Sequence, residues 1–198
     1  MGVDVKHLTM DQLQAGLIAV GQSPKDGGIL RLIVRRPAVG EREVLDDGCL
    51  DIDEGLVGDN WKTRGSGRTK DGHAHPDMQL NVINSRLIDL VSQDPGRWKL
   101  AGDQLFIDLD LSADNLPAGT RLALGSAIIE VTPQPHTGCE KFVQRFGLDA
   151  MKFVNSPAGR KLRLRGLNAK VIRAGAIRVG DVVRKCHPNP SPAVTASR

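Results

Sequence analysis

Apolar positions along the chain follow two rhythms, one of period two and one of period three to four, and the switches between them mark out its elements. Thr9-Met10-Asp11-Gln12 has the spacing of a capping box. Leu13, Leu17 and Ile18 follow on one helical face before Gly21, so a short N-terminal helix is expected. Ile29-Leu30-Arg31-Leu32-Ile33-Val34, stopped by Pro37, reads as a strand. Short strands joined at Asp47-Gly48 are expected between 41 and 59, then a polar loop over 62–77. Met78, Leu80 and Val82 alternate with Gln79 and Asn81, the pattern of a half-buried strand. Asn84 then caps a helix whose Leu87, Ile88 and Val91 share a face until Asp94-Pro95-Gly96. Leu105, Ile107, Leu109 and Leu111 alternate again, and 120–124 pairs with 127–132 across Gly125-Ser126 as a hairpin. A helical stretch over 139–155, broken near Gly147-Leu148-Asp149, leads to strands expected at 161–165, 167–173 and 177–184.

Many short strands, punctuated by the turns Gly58-Asp59, Gly102-Asp103 and Gly180-Asp181, predict a mainly β fold. The expected form is a closed or partly closed barrel with a few flanking short helices. Strands and helices do not alternate as a doubly wound sheet requires, and neither Gly-x-Gly-x-x-Gly nor a phosphate loop occurs. The expected division is an N-terminal helix and lead-in over 1–28, one barrel domain over 29–186, and a disordered Pro- and Ser-rich tail over 187–198.

Composition narrows the partners. With 25% charged and 40% hydrophobic residues, the 198-residue chain reads as a globular protein in water. Aromatic residues make up only 3% and Tyr is absent, which argues against a surface that stacks nucleobases. The net charge of +4 is unevenly spread. Arg160, Lys161, Arg163, Arg165, Lys170, Arg173, Arg178 and Arg184 are opposed between them only by Asp181. Such a block attracts an anionic ligand or simply solvates strand surfaces, so a non-catalytic anion- or nucleic-acid-binding barrel stands as the alternative reading. Three scattered cysteines, Cys49, Cys139 and Cys186, form neither a zinc knuckle nor a disulfide framework. The N-terminal residues lack the apolar core of a signal peptide, and no apolar run approaches membrane-spanning length. The cytoplasm is therefore the expected compartment, with no membrane contact.

The densest chemistry lies in Pro135-His136-Thr137-Gly138-Cys139-Glu140-Lys141-Phe142. A strand stopped by Pro133 and Pro135 gives way there to a helix, which places Cys139 at or near the helix N-terminus. Unpaired N–H groups and the helix dipole favour an anion at that point, and a thiolate is both a nucleophile and a soft metal ligand. An ordinary buried cysteine is the competing reading. The polar neighbours His136, Thr137, Glu140 and Lys141 favour the functional one. His136 could serve as the base of a Cys139 nucleophile, although three loop residues do not guarantee contact. His73 and His75, two apart beside Asp77, could hold zinc or iron, but no third ligand stands at a diagnostic spacing. Asp46-Asp47 and Asp108-x-Asp110 read as turn residues and the solvent face of a strand.

Several of these segments together resemble the MOSC family, named for the C-terminal domain of molybdenum-cofactor sulfurases. The resemblance is carried by Val57-Gly58-Asp59-Asn60-Trp61, the run from His75 to Asn84, Asn115-Leu116-Pro117-Ala118-Gly119, Cys139-Glu140-Lys141-Phe142, Arg165-Gly166-Leu167 and Ala176-Ile177-Arg178-Val179-Gly180-Asp181. It spans about 55–184 and is closest to small stand-alone members. It implies a MOSC-type β-barrel in which one cysteine, here Cys139, carries sulfur as a persulfide or ligates the molybdenum of the pterin cofactor. It implies the molybdenum cofactor (molybdopterin) as ligand and His136, Thr137, Gly138, Lys141, Asn115, Arg163 and Arg165 as residues around it. Some members reduce N-hydroxylated small molecules. Where many stand-alone members have Pro-Arg-x-Pro-Cys, this chain has His136-Thr137-Gly138-Cys139, so Lys141 or His136 takes the arginine's place. The Gly-Glu-Asn signature of several relatives is replaced by Asp114-Asn115-Leu116. No desulfurase or redox module is evident, so the implied donor is a separate cysteine desulfurase or electron-transfer protein. Pyridoxal phosphate would enter only through such a desulfurase. A monomer or homodimer is expected.

Overall fold

The computed structural model of the protein describes residues 6–186, so the tail expected over 187–198 lies outside the described residues. The strands are, in chain order, β1 (Gly28–Arg35), β2 (Glu43–Leu45), β3 (Asp47–Asp51), β4 (Gly55–Leu56), β5 (Leu80–Asn84) and β6 (Leu105–Asp108). They continue with β7 (Arg121–Leu124), β8 (Ala127–Val131), β9 (Leu167–Arg173), β10 (Gly175–Arg178) and β11 (Val182–Lys185). Seven of them close a barrel in the order β1, β11, β7, β8, β9, β5, β6, with β1 pairing both β11 and β6. All its pairings are antiparallel except β5 with β6, whose connection passes through a helix. Closure removes the exposed edges that so many short strands would otherwise present. β2 adds to the outside of β1, and β10, β3 and β4 form a second small sheet.

Two apolar cores explain this arrangement. Leu30, Ile33, Leu80, Val82, Leu105, Ile129 and Leu167 fill the barrel interior. Val34, Ile83 and Phe106 point the other way and are covered by helices. Those helices are α1 (Met10–Gly21), α3 (Ser85–Ser92), α4 (Glu140–Phe146) and α5 (Leu148–Asn155). The short α2 (Trp61–Arg64) and α6 (Pro157–Lys161) complete the set among the described residues. β1, β5 and β6 are therefore sandwiched between barrel and helices. That corrects the half-buried strand expected from Met78: β5 starts at Leu80 and is buried on both faces, while Pro76–Met78 is a 3-10 turn. The polar Asn81 and Asn84 are buried along with their neighbours.

Local signals were strong at the helix starts. Thr9 and Gln12 form the reciprocal capping box, and Asn84 Oδ1 accepts from the N–H groups of Arg86 and Leu87. The hairpin of β7 and β8 turns at Gly125, whose φ of +53° suits glycine. Five expectations need correction. The single strand expected over 177–184 is two, β10 and β11, which end up in different sheets. Ile18 is 75% exposed, so α1 packs through Leu13 and Val20 instead. Asp47-Gly48 is paired within β3, and the strand break falls at Asp46. The alternation after Leu105 stays strand only to Asp108, although Leu109 and Leu111 remain in the barrel core. The strand expected at 161–165 is absent: Ser156 caps α6 at Gly159 N–H, and Arg163 and Gly166 then take φ of +48° and +107°. That tight turn delivers Arg165 to the site described next.

Candidate functional site

Three chain segments converge on one buried carboxylate. The Gly102-Asp103 turn precedes β6, the 162–166 turn precedes β9, and the loop 132–138 leaves β8. Gly102 takes φ of +86°, which swings Asp103 inward until its side chain is 0% exposed. Arg165 Nη1 donates to both Asp103 oxygens, at 2.9 and 2.8 Å, and Nη2 donates to the Ala101 carbonyl at 3.0 Å. His136 Nε2 lies 2.8 Å from Asp103 Oδ1. Burial alone would raise the Asp103 pKa, but the charges of Arg165 and His136 and their hydrogen bonds outweigh it and hold the carboxyl at about 2. His136 is pushed below the ordinary imidazole range, chiefly by burial and then by the Arg165 charge, against the pull of Asp103. The imidazole is accordingly neutral at pH 7.

Cys139 is tied to this cluster without belonging to it. It is the N-cap of α4, exposed, with extended backbone, and its carbonyl accepts from Phe142 and Val143 N–H. Three residues on, the Phe142 ring lies under the Arg165 guanidinium, with Cζ 5.1 Å from the centroid. On its other side, Asn155 holds Gly138: its Oδ1 accepts from Gly138 N–H at 2.9 Å, and its Nδ2 donates to the Gly138 carbonyl at 3.0 Å. A Cβ on Gly138 would press on Val154 and Met151, so this glycine gives close approach to α5. Cys139 Sγ has no hydrogen bond among the described residues, and the Cys139–His136 pair considered from the sequence is not formed.

Beside the loop opens a pocket of about 290 Å³. His136, Thr137, Arg163, Arg165, Gly166 and Arg160 line it, with apolar walls from Val154, Leu167 and the Pro133 to Pro135 segment. Of the residues nominated from the sequence, it thus gathers His136, Thr137, Arg163 and Arg165. Both terminal nitrogens of Arg165 are taken by Asp103 and Ala101, while its buried Nε has no partner among the described residues, so Arg163 and the exposed Arg160 supply the accessible positive charge. Arg163 Nη1 donates to the Leu116 carbonyl at 2.6 Å, and burial lowers the Arg163 pKa. Lys141 is exposed and lies outside the pocket lining. Asn115 also lies elsewhere: it donates to the carbonyls of Lys25 and Asp110 and accepts from Lys185 Nζ at 2.7 Å. His73 is exposed, and His75 Nδ1 accepts from Asp77 N–H at 3.2 Å. No group of three or more metal-capable His, Cys, Asp or Glu side chains gathers among the described residues.

A family comparison completes the picture: the MOSC domain matches residues 69–184, more than half of the sequence. The chain belongs to the MOSC domain family. Among solved structures, the YuaD protein from Bacillus subtilis superposes with a TM-score of 0.56 at 14% identity, over 81% of this chain and 97% of that one. YiiM from Escherichia coli gives 0.52 at 18% identity, over 81% of this chain and 70% of that one. These likenesses bear out the mainly β barrel. No curated protein matches the chain. The MOSC family is associated with the molybdenum cofactor, and the pocket, the His136 loop and Cys139 all lie inside the matched span. No helix among the described residues of this MOSC domain is long and apolar enough to cross a membrane.

The sequence reading overlooked the carboxylates that anchor several arginines. Asp59 and Asp103 passed for turn residues, yet each is the buried partner of an arginine. Asp108, assigned to solvent, is 9% exposed and paired with Arg86 at 2.7 Å. Most of the basic block is engaged within the protein: Lys170 pairs with Asp77 and Glu130, Lys161 with Asp114, and Arg173 Nε donates to the Ser126 carbonyl.

Proposed function

We propose that this MOSC domain handles the molybdenum cofactor as a sulfur carrier, with Cys139 bearing the sulfur as a persulfide. The observation that carries the reading is an exposed thiol, without a hydrogen bond among the described residues, held at the N-cap of α4 by the Asn155 clamp on one side and the Phe142–Arg165 contact on the other. A carrier thiol must be reached by a donor protein, and this one stands on the surface rather than in the pocket lining. The loading step is a thiol exchange. Cys139 thiolate attacks the outer sulfur of a donor persulfide, the donor's S–S bond breaks, and the donor thiolate leaves. No net oxidation is required, and a cysteine desulfurase is the donor class.

The cofactor is then the substrate, and the pocket's residues suit it. Its volume is near the lower end for small-molecule sites. Arg163 and Arg160 offer guanidinium donors to a terminal phosphate, Thr137 offers a hydroxyl, and the proline segment, Val154 and Leu167 give apolar walls for a flat ring system. Retention of the cofactor with Cys139 as metal ligand, and reduction of N-hydroxylated compounds, is the second reading; the pocket's arginines suit it, while the place of Cys139 outside the lining counts against it.

Incubation of the full chain with a cysteine desulfurase and cysteine is expected to add 32 Da (one sulfur atom) to Cys139, and to leave Cys49 and Cys186 unmodified. Cys139→Ala should take up no sulfur at all. Mass mapping that finds the wild-type Cys139 unmodified, or sulfur spread equally over the three cysteines, overturns the carrier reading. Molybdenum that co-purifies with the wild type and is lost in Cys139→Ala would select the ligand reading instead.

A further inference from the structure

Sulfur loading leaves one well-placed group on the pocket wall unused. The His136 ring is engaged on two of its edges. Nε2 meets Asp103 Oδ1 at 2.8 Å, and Cδ2 rests over Gly166, where an added Cβ would come within 3.2 Å of it. An ionised carboxylate can only accept, so the proton of the neutral ring sits on Nε2 and the lone pair on Nδ1. Nδ1 has no hydrogen-bond partner among the described residues, while the side chain lines the pocket and remains 13% exposed. Asp103 cannot rotate away, because Arg165 holds both its oxygens and is itself fixed on the Ala101 carbonyl and the Phe142 ring. Three segments far apart in the chain thus combine to orient one imidazole toward a cavity.

We propose that His136 is the proton-transfer residue of this pocket, presented as the Nε2–H tautomer with Nδ1 as acceptor, and that Asp103 and Arg165 are its positioning residues. The proposal rests on the pocket being a small-molecule site. A bound molecule with a dissociable O–H or N–H passes that proton to Nδ1, leaving its own electron pair behind. The imidazolium so formed lies against Asp103, and the proton returns to the molecule or to solvent when the pocket empties. The charged groups around the ring are Asp103 ahead of β6, Arg165 ahead of β9, Arg36 at the end of β1, and Arg160 and Arg163 on the pocket wall. Burial first, and then the Arg165 charge, keep the resting ring neutral against the pull of Asp103, which leaves His136 available as a base. A network serving only to tie the loop to the barrel has no need of a cavity-lining histidine whose Nδ1 has no partner among the described residues.

Diethyl pyrocarbonate tests this on the full chain without cofactor or donor. It acylates an unprotonated imidazole nitrogen, with loss of ethanol and carbon dioxide. Mass mapping of the folded wild type should find His136 carbethoxylated, with a rate that rises with pH about a midpoint below the ordinary imidazole range. Asp103→Asn can offer an amide N–H to Nε2 and reverse the tautomer, and the rate at His136 should drop about tenfold or more, the usual scale for losing an orienting partner. An unlabelled His136 in the folded wild type overturns the proposal, as does a folded Asp103→Asn that reacts at the wild-type rate. Should Asp103→Asn not fold, the wild-type label and its pH midpoint decide alone. Failure of Cys139 to accept sulfur would remove the carrier reading and leave this result standing, since the reagent needs no persulfide.

Discussion

Replacing Asp103 by Ala is expected to cost about 3–5 kcal/mol of stability, the scale for removing one partner of a buried ion pair. The loss exceeds that of a simple contact because two groups are stranded at once. Arg165, 7% exposed in its side chain, keeps only the Ala101 carbonyl and the Phe142 face, and His136 loses its Nε2 acceptor. The pH dependence provides an independent signature. The Asp103 carboxyl, at about 2 in the folded chain against an ordinary 3.8, contributes roughly 2 kcal/mol that is fully present above pH 3.8 and is lost as pH falls through about 2. His136, also lowered, adds stability that is present above its ordinary value and lost as pH falls through its folded-state value. Urea denaturation at pH 7 and across the acid range should therefore show a steep acid limb in the wild type. In Asp103→Ala the curve should start lower and the part of that limb near pH 3 should be missing. Equal curves would mean that the carboxylate does not anchor the loop.

The position of Cys139 was legible because local chemistry dictates it. Pro133 and Pro135 forbid strand continuation, Phe142, Val143 and Phe146 set a helical period, and Gly147 at φ +92° ends the helix. The barrel was legible for a similar reason, since alternating strands with glycine turns leave few other closures. The anchors of the site were not legible, and the reason is distance along the chain. Asp103 becomes a buried anion only because Arg165, 62 positions away, meets it. Within any local window, a Gly-Asp pair predicts an exposed turn, as Gly180-Asp181 is: there Asp181 merely accepts from Arg178 N–H at 2.7 Å. The burial of both faces of β5 was hidden in the same way, because covering helices come from other parts of the chain. The arginines after Arg160 could be nominated as a block, but only the positive φ at Arg163 and Gly166 sorts them into Arg163, facing the pocket, and Arg165, committed to Asp103.

Asp59→Ala should have an effect on the same scale, about 3–5 kcal/mol, through the Gly58-Asp59 turn. Asp59 accepts from Arg36 Nε and Nη2, both at 2.8 Å, and from the backbone N–H of Arg36 and Trp61. Arg36 Nη1 reaches Asn81 Oδ1 and the Gly102 carbonyl, and Asn81 Nδ2 donates to Asn168 Oδ1 at 2.7 Å. One carboxylate therefore holds together the end of β1, α2, β5 and β9. It is also a counter-charge to Arg42 and Arg64, whose pKa values are lowered first by burial, with the Arg36 charge adding to the effect in both. Removing it leaves a buried Arg36 beside two further cations. Replacing Arg36 and Asp59 together by apolar residues of similar volume should recover part of the loss, because the buried Arg36 charge then goes with its partner, although the backbone N–H groups of residues 36 and 61 still lose their acceptor. The two turns are also connected: Gly102 accepts from Arg36, and the next residue is Asp103. Asp59→Ala and Asp103→Ala should consequently be non-additive by at least 0.5 kcal/mol, the coupling expected of groups that share one backbone segment. A double-mutant cycle that sums within that margin would separate the clusters, and the pocket's orientation would then depend on Asp103 and Arg165 alone.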